Sequence, residues 1–181
     1  PGRTGEVLIS GGTDPLAYDA TLTDIFSGPS DSISPETPLS EPRTTGLAGA
    51  ALPDGGAFFL GSMTWEPMWG GSYCDYGLVY NPPGNWTQSD SVGIFEFTYP
   101  EMALIGLTPR ILIAGGTTAG NGISIEYNSL TDSFIKLRVR NYASENHTLT
   151  ALTRGSLRGK ILATGGDDSG TVQDQAEIYI P

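Results

Sequence analysis

Hydrophobic residues fall along this chain in short runs closed by small residues. Four such runs recur: Val7-Leu8-Ile9-Ser10-Gly11-Gly12, Phe58-Phe59-Leu60-Gly61-Ser62, Ile111-Leu112-Ile113-Ala114-Gly115-Gly116 and Ile161-Leu162-Ala163-Thr164-Gly165-Gly166. Their first glycines stand at 11, 61, 115 and 165, at intervals of 50, 54 and 50 residues. After each run comes a second apolar segment with an aromatic: Asp24-Ile25-Phe26, Leu78-Val79-Tyr80, Ile125-Glu126-Tyr127 and Glu177-Ile178-Tyr179. A third apolar position follows at Ile33, Trp86 and Phe134. Before each run except the first lies one more segment: Leu47 to Leu52, Met102 to Leu107 and Leu149 to Leu152. No window sustains a 3.6-residue period, and Gly, Pro, Asn and Asp separate the segments, so the pattern predicts short β-strands.

Four strands in about 50 residues is the size of one kelch-like propeller blade. A single blade cannot bury both of its faces; stacking blades builds a continuous core. The strands are labelled a to d from the axis outward. The chain then opens on strand b (Glu6 to Ser10) and ends on strand c (Ala176 to Ile180), giving fourteen strands. The expected fold is all-β, an incomplete kelch-like β-propeller of about three and a half four-stranded blades. It forms a single propeller segment, 1–181, with approximate units 1–42, 43–90, 91–139 and 140–181.

The order of residues resembles kelch repeats, and more closely the secreted galactose oxidase and glyoxal oxidase branch. The residues that carry this are Glu41-Pro42-Arg43 leading to Ala50-Ala51-Leu52-Pro53-Asp54-Gly55, then Phe58 to Gly61, a Gly-rich loop, and Tyr80-Asn81-Pro82 with Trp86. The resemblance implies a copper site of two His and two Tyr, one Tyr being cross-linked to Cys. Tyr73-Cys74 and Tyr76 lie in a Gly-rich loop, but His147 is the one histidine, so that site is not expected within this chain.

Three and a half blades do not seal a ring, and an open propeller exposes blade faces and strand edges. Three arrangements follow: a piece of a longer propeller, closure with a second copy, or head-to-tail completion in an open assembly. Each predicts that the isolated chain is not a well-behaved monomer.

Charge narrows the partners. Nine Lys and Arg against twenty Asp and Glu give a net charge of −11. Such a chain lacks the cationic clusters that neutralise a nucleic-acid backbone or an anionic membrane surface. No run of about 18 apolar residues marks a membrane-inserting helix. The chain begins at Pro1 rather than Met, which fits a removed leader or a piece of a longer chain. Acidity and two glycosylation sequons, at Asn85 and Asn146, point to an extracellular setting, secreted or at the cell surface. Cys74 stands alone and has no internal disulfide partner. A half-buried thiol, an intermolecular bridge, a link to another part of the chain and a modified residue remain open for it.

Catalytic patterns are absent. There is no Gly-x-Ser-x-Gly elbow and no zinc spacing. His147 is expected as a packed or hydrogen-bonded imidazole, and Asp167-Asp168-Ser169-Gly170 with Asp174 as a solvated turn that matches no calcium loop. The stretch from Met63 to Tyr76 holds Trp65, Trp69, Tyr73 and Tyr76, rings suited either to packing or to contacting a glycan or protein partner. The expectation is a non-catalytic structural or interaction module, without metal or cofactor. It would assemble through open blade edges with itself or with the rest of a larger propeller. The alternatives are a fragment of a secreted copper-radical carbohydrate or alcohol oxidase-like protein, and a carbohydrate-binding propeller.

Overall fold

A computed structural model describes residues 5–11, 21–40, 45–62, 76–92, 98–116, 122–137, 146–168 and 170–181. These residues form sixteen strands and one short 3-10 turn at Gly155–Leu157. Four antiparallel sheets follow one another along the chain. Sheet I is β1 (Glu6–Ser10), β2 (Thr23–Ser27) and β3 (Ser32–Pro35). Sheet II is β4 (Thr45–Ala51), β5 (Ala57–Ser62), β6 (Tyr76–Asn81) and β7 (Asn85–Ser91). Sheet III is β8 (Thr98–Leu104), β9 (Arg110–Gly116), β10 (Ile123–Asn128) and β11 (Ser133–Lys136). Sheet IV is β12 (Thr148–Ala151), β13 (Ile161–Thr164) and β16 (Ala176–Tyr179).

Every segment expected to be a strand is one, and the all-β class holds. One stretch differs. Asp167–Asp168 (β14) pairs with Thr171–Val172 (β15), so the expected solvated turn is a miniature hairpin. The Gly170 amide donates to Asp167 Oδ1 at 3.2 Å. Gly170 has φ of +83°, a left-handed value that glycine adopts without a Cβ clash.

Because strand side chains alternate between faces, register decides what each residue covers. In sheet III the rows Met102–Ile113–Ile125 and Leu104–Ile111–Tyr127–Phe134 share one face. They pack on Phe58 and Leu60 of sheet II in the main core cluster. The alternate residues Ala103 and Leu112 share a second cluster with Ile161 of sheet IV. Strand β8 lies against both β4 and β12. Sheet II also reaches back to the segment after β3. The Tyr80 hydroxyl donates to Glu36 Oε2 at 2.9 Å, and Trp86 Nε1–H donates to the Thr37 carbonyl at 2.9 Å.

A parity rule results. In the repeated apolar runs, Ala57 and Phe59, Ile111 and Ile113, and Ile161 and Ala163 face the preceding sheet. Leu8, Phe58 and Leu60, and Leu112 and Ala114 face the following one. Both faces of the inner sheets are covered, which is why these runs read as continuously apolar rather than alternating. Among the described residues no strand of one sheet pairs with a strand of another.

The junction of sheets II and III centres on rings. Phe58 stacks on Tyr127 at 4.2 Å between centroids and meets Phe134 at 6.2 Å. Gly77 makes room for this: a Cβ there would enter the Phe58 ring and lie 2.9 Å from the Phe59 carbonyl oxygen. Phe58→Ala should therefore cost about 3–5 kcal/mol in urea unfolding, as large-to-small core changes do. Gly77→Ala should destabilise by about 1–3 kcal/mol through overpacking, whereas Leu130→Ala, in an exposed turn, should stay within about 0.5 kcal/mol. A Phe58→Ala chain with an unchanged urea midpoint would show that the ring does not hold these sheets together.

Candidate interaction surface

Three phenols of the interior share one register position. Tyr80, Tyr127 and Tyr179 lie opposite Ala57, Ile111 and Ile161 respectively. Each phenol donates to a carboxylate: Tyr80 to Glu36 at 2.9 Å, Tyr127 to Asp132 at 3.0 Å and Tyr179 to Glu126 at 3.2 Å. Glu126 is buried and also accepts from Arg110 Nη1 at 3.2 and 3.3 Å, so its charge is paired. Burial, then the hydrogen bond and charge of Asp132, push the Tyr127 phenol well above its ordinary value. Burial first, and then Glu126, raise Tyr179, with Arg110 opposing. The fourth residue in this register is Phe26, opposite Val7, and it carries no hydroxyl.

The two terminal sheets each keep one apolar face uncovered. On sheet I, Val7, Phe26 and Ile33 form one cross-strand row, and the next row on the same face, Ile9–Asp24–Pro35, adds a carboxylate. Val7 is 55% exposed, Ile9 48% and Ile33 65%, whereas the equivalent Ile111 and Ile113 are fully buried. On sheet IV the corresponding row is Thr150–Leu162–Ile178. Ile178 is 46% exposed and Ile180 66%. Fully burying an aliphatic side chain of this size contributes roughly 1.5–3 kcal/mol, and contiguous exposed apolar surface marks an interaction site.

Two clefts lie between sheets. One of about 270 Å³, between sheets I and II, is lined by Leu8, Ile25, Leu52, Ala57 and Tyr80 with the Glu6 side chain. The other, of about 380 Å³ between sheets III and IV, is lined by Leu112, Leu149 and Ile161 with Ser124 and the last strand from Glu177 to Ile180, so Ile178 and Ile180 border this cleft as well as the outer face. Among the described residues there is no group of three or more His, Cys, Asp or Glu suited to a metal ion.

Of the aromatic residues singled out in the sequence, Trp65, Trp69 and Tyr73, with Cys74, lie outside the described residues. Tyr76 begins β6, half-buried and opposite Ser91. Asn85 and Asn146 are both exposed, and Asn146 Nδ2 donates to Asp167 Oδ2 at 3.0 Å. His147 is buried immediately before β12. The sequence named the residues of the loop, but for the exposed blade faces it named none. The available signal was that the first and last apolar segments, Val7 to Ile9 and Ile178 to Ile180, match the inner ones in hydrophobicity, although among the described residues no sheet lies before the first or after the last.

The raised phenols set an alkaline limit on stability. Because the folded chain favours the neutral phenol, that stabilisation is complete below the unfolded tyrosine value near pH 10 and is lost as pH rises past it. Tyr127→Phe should cost about 0.5–1.5 kcal/mol at pH 7 and flatten the decline in urea midpoint above about pH 10. An alkaline limb identical in wild type and Tyr127→Phe would contradict the assignment.

No protein-family model matches the chain, and no relative was found among curated proteins. The outer faces and the phenol–carboxylate pairs therefore rest on this chain's own residues.

Proposed function

We propose that the chain is a kelch-like propeller segment of about three and a half blades, acting as a non-catalytic interaction module in an extracellular or cell-surface setting. The observation that carries this reading is the pair of apolar outer faces on sheets I and IV, built from register positions that are core in sheet III. Sheets that repeat at about 50 residues, each with its strands in chain order and packed on its neighbours by the same parity, support the propeller. The faces call for a partner that continues the stack: another copy, or the rest of a longer propeller. The clefts and the polar pairs serve packing rather than chemistry.

Exposed sequon asparagines support the extracellular setting, since a glycan at Asn85 or Asn146 would project into solvent. Two measurements test the reading. Native material should sediment well above the 19.1 kDa of a single chain, and Val7→Asp should reduce that size by placing a charge on the sheet I face. Native material of single-chain size, unaltered by Val7→Asp, would remove the interaction role. Chain passed through a secretory pathway should lose mass on enzymatic deglycosylation, and Asn85→Gln should abolish part of that loss. An unchanged mass would argue against the extracellular assignment.

A further inference from the structure

We propose that the turn joining β12 to β13 is a binding site for a sulfated saccharide, with Arg154, Arg158 and Lys160 holding the sulfate group. This surface is separate from the outer faces of sheets I and IV, and the choice of ligand rests on the extracellular reading.

Hairpin length sets this turn apart. One backbone bond closes the first turn of each of sheets II, III and IV. The Leu52 amide donates to the Gly56 carbonyl, Ile105 to Arg110 and Leu152 to Lys160, each at 2.8 Å. The first closure encloses three residues, Pro53 to Gly55, and the second four, Gly106 to Pro109. The third encloses seven, Thr153 to Gly159. The extra residues add nothing to the core: Thr153 to Arg158 are all exposed, and the 3-10 turn among them has no buried residue. Their path is fixed by the Gly159 amide donating to the Leu152 carbonyl at 2.8 Å and the Lys160 amide donating to the Leu157 carbonyl at 3.0 Å. Closing a hairpin does not require them, and a fixed loop that buries nothing is placed to meet something outside.

Charge complementarity selects the ligand. Arg154, Arg158 and Lys160 put three cations in seven residues, while the other six cations and twenty carboxylates of the chain sum to −14. The turns that join neighbouring strands at 28–31, 52–56, 82–84, 105–109 and 129–132 hold no lysine or arginine. Arg110 is paired with Glu126, but among the described residues no carboxylate pairs with Arg154, Arg158 or Lys160. The adjoining turn of sheet III is neutral Gly106-Leu107-Thr108-Pro109, and a Cβ at Gly106 would lie 3.7 Å from the Gly159 Cα. A shallow cleft of about 400 Å³ runs along the basic turn, lined by Leu152, Thr153, Arg154, Ser156 and Leu157 and, among the described residues, by no carboxylate. A guanidinium fork matches two oxygens of a tetrahedral anion, and the Thr153 and Ser156 hydroxyls are further donors. Leu157, 39% exposed, gives a sugar ring an apolar edge to rest on. The −14 around the turn repels a long polyanion such as a nucleic-acid strand, so a short saccharide fits where a polymer does not.

Amide chemical shifts of the isotope-labelled chain, titrated with a sulfated heparin disaccharide, test this. The amides from Thr153 to Lys160 should shift, and the desulfated disaccharide should leave them in place. Combining Arg154→Gln with Arg158→Gln should weaken binding by roughly tenfold or more. Its urea midpoint and remaining amides should be unchanged, since both side chains are exposed. Arg154→Lys with Arg158→Lys should recover part of the loss, because the charge returns without the fork. Inorganic sulfate should shift the same amides more weakly. No shifts, shifts confined to other strands, or binding indifferent to the double glutamine variant would each overturn the site. Inorganic sulfate that binds as tightly as the disaccharide, or a single-stranded oligonucleotide that binds more tightly, would overturn the saccharide assignment. Sedimentation separates this from the module reading. Native material of single-chain size that binds the disaccharide removes the module reading alone. Native material larger than one chain that does not bind it removes this inference alone.

Discussion

The inner sheets of this protein keep two apolar faces from water, and in each case neighbouring sheets do it. A single antiparallel meander of short strands buries little, so its stability is borrowed from the next sheet along. The sequence meets this requirement by placing aliphatic residues at successive positions of one strand, so that both faces are apolar. Phe58 and Leu60 look forward into the main core while Phe59 looks back toward Trp86, whose ring centroid lies 5.6 Å away. The same economy has a consequence at the ends of the stack, where one face of sheet I and one of sheet IV remain uncovered.

Three tyrosines enter this apolar stack with their hydroxyls paired. Tyr80, Tyr127 and Tyr179 bring large rings to the space between sheets, and each ring carries a hydroxyl that finds a carboxylate. A ring of this size supplies packing area, while its hydrogen bond fixes register between elements distant in sequence. The Glu126 cluster joins β9, β10 and β16 in this way through Arg110 and Tyr179. Where the ring lacks a hydroxyl, at Phe26, the position is on an open face.

Much of the fold was legible in the sequence because the physics is local. Apolar runs closed by Gly pairs, with turn residues between them, mark strand boundaries without reference to tertiary contacts. Hence Ile111 to Gly116 and its relatives fall on strands β1, β5, β9 and β13. The small hairpin of Asp167–Asp168 with Thr171–Val172 was not legible, since two-residue strands leave no periodic trace. The candidate site was less readable still. The conspicuous aromatics Trp65, Trp69 and Tyr73 lie outside the described residues. Exposed blade faces were expected from an unsealed ring, but the residues on them were not legible, because Val7 and Ile178 look like any core residue until register shows which sheet they should meet. The phenol–carboxylate pairs join residues as far apart as Glu126 and Tyr179, which sequence spacing alone does not connect.

The central claim is that the faces of sheets I and IV are core faces awaiting a cover. Amide hydrogen exchange, followed strand by strand on native material before and after dilution, tests it most directly. The account predicts that β1, β2 and β16 are protected as strongly as β9 and β10 in the undiluted state, and that dilution releases the first group alone. Rapid exchange in β1 and β16 at every concentration would show that these faces live in water, and would contradict it.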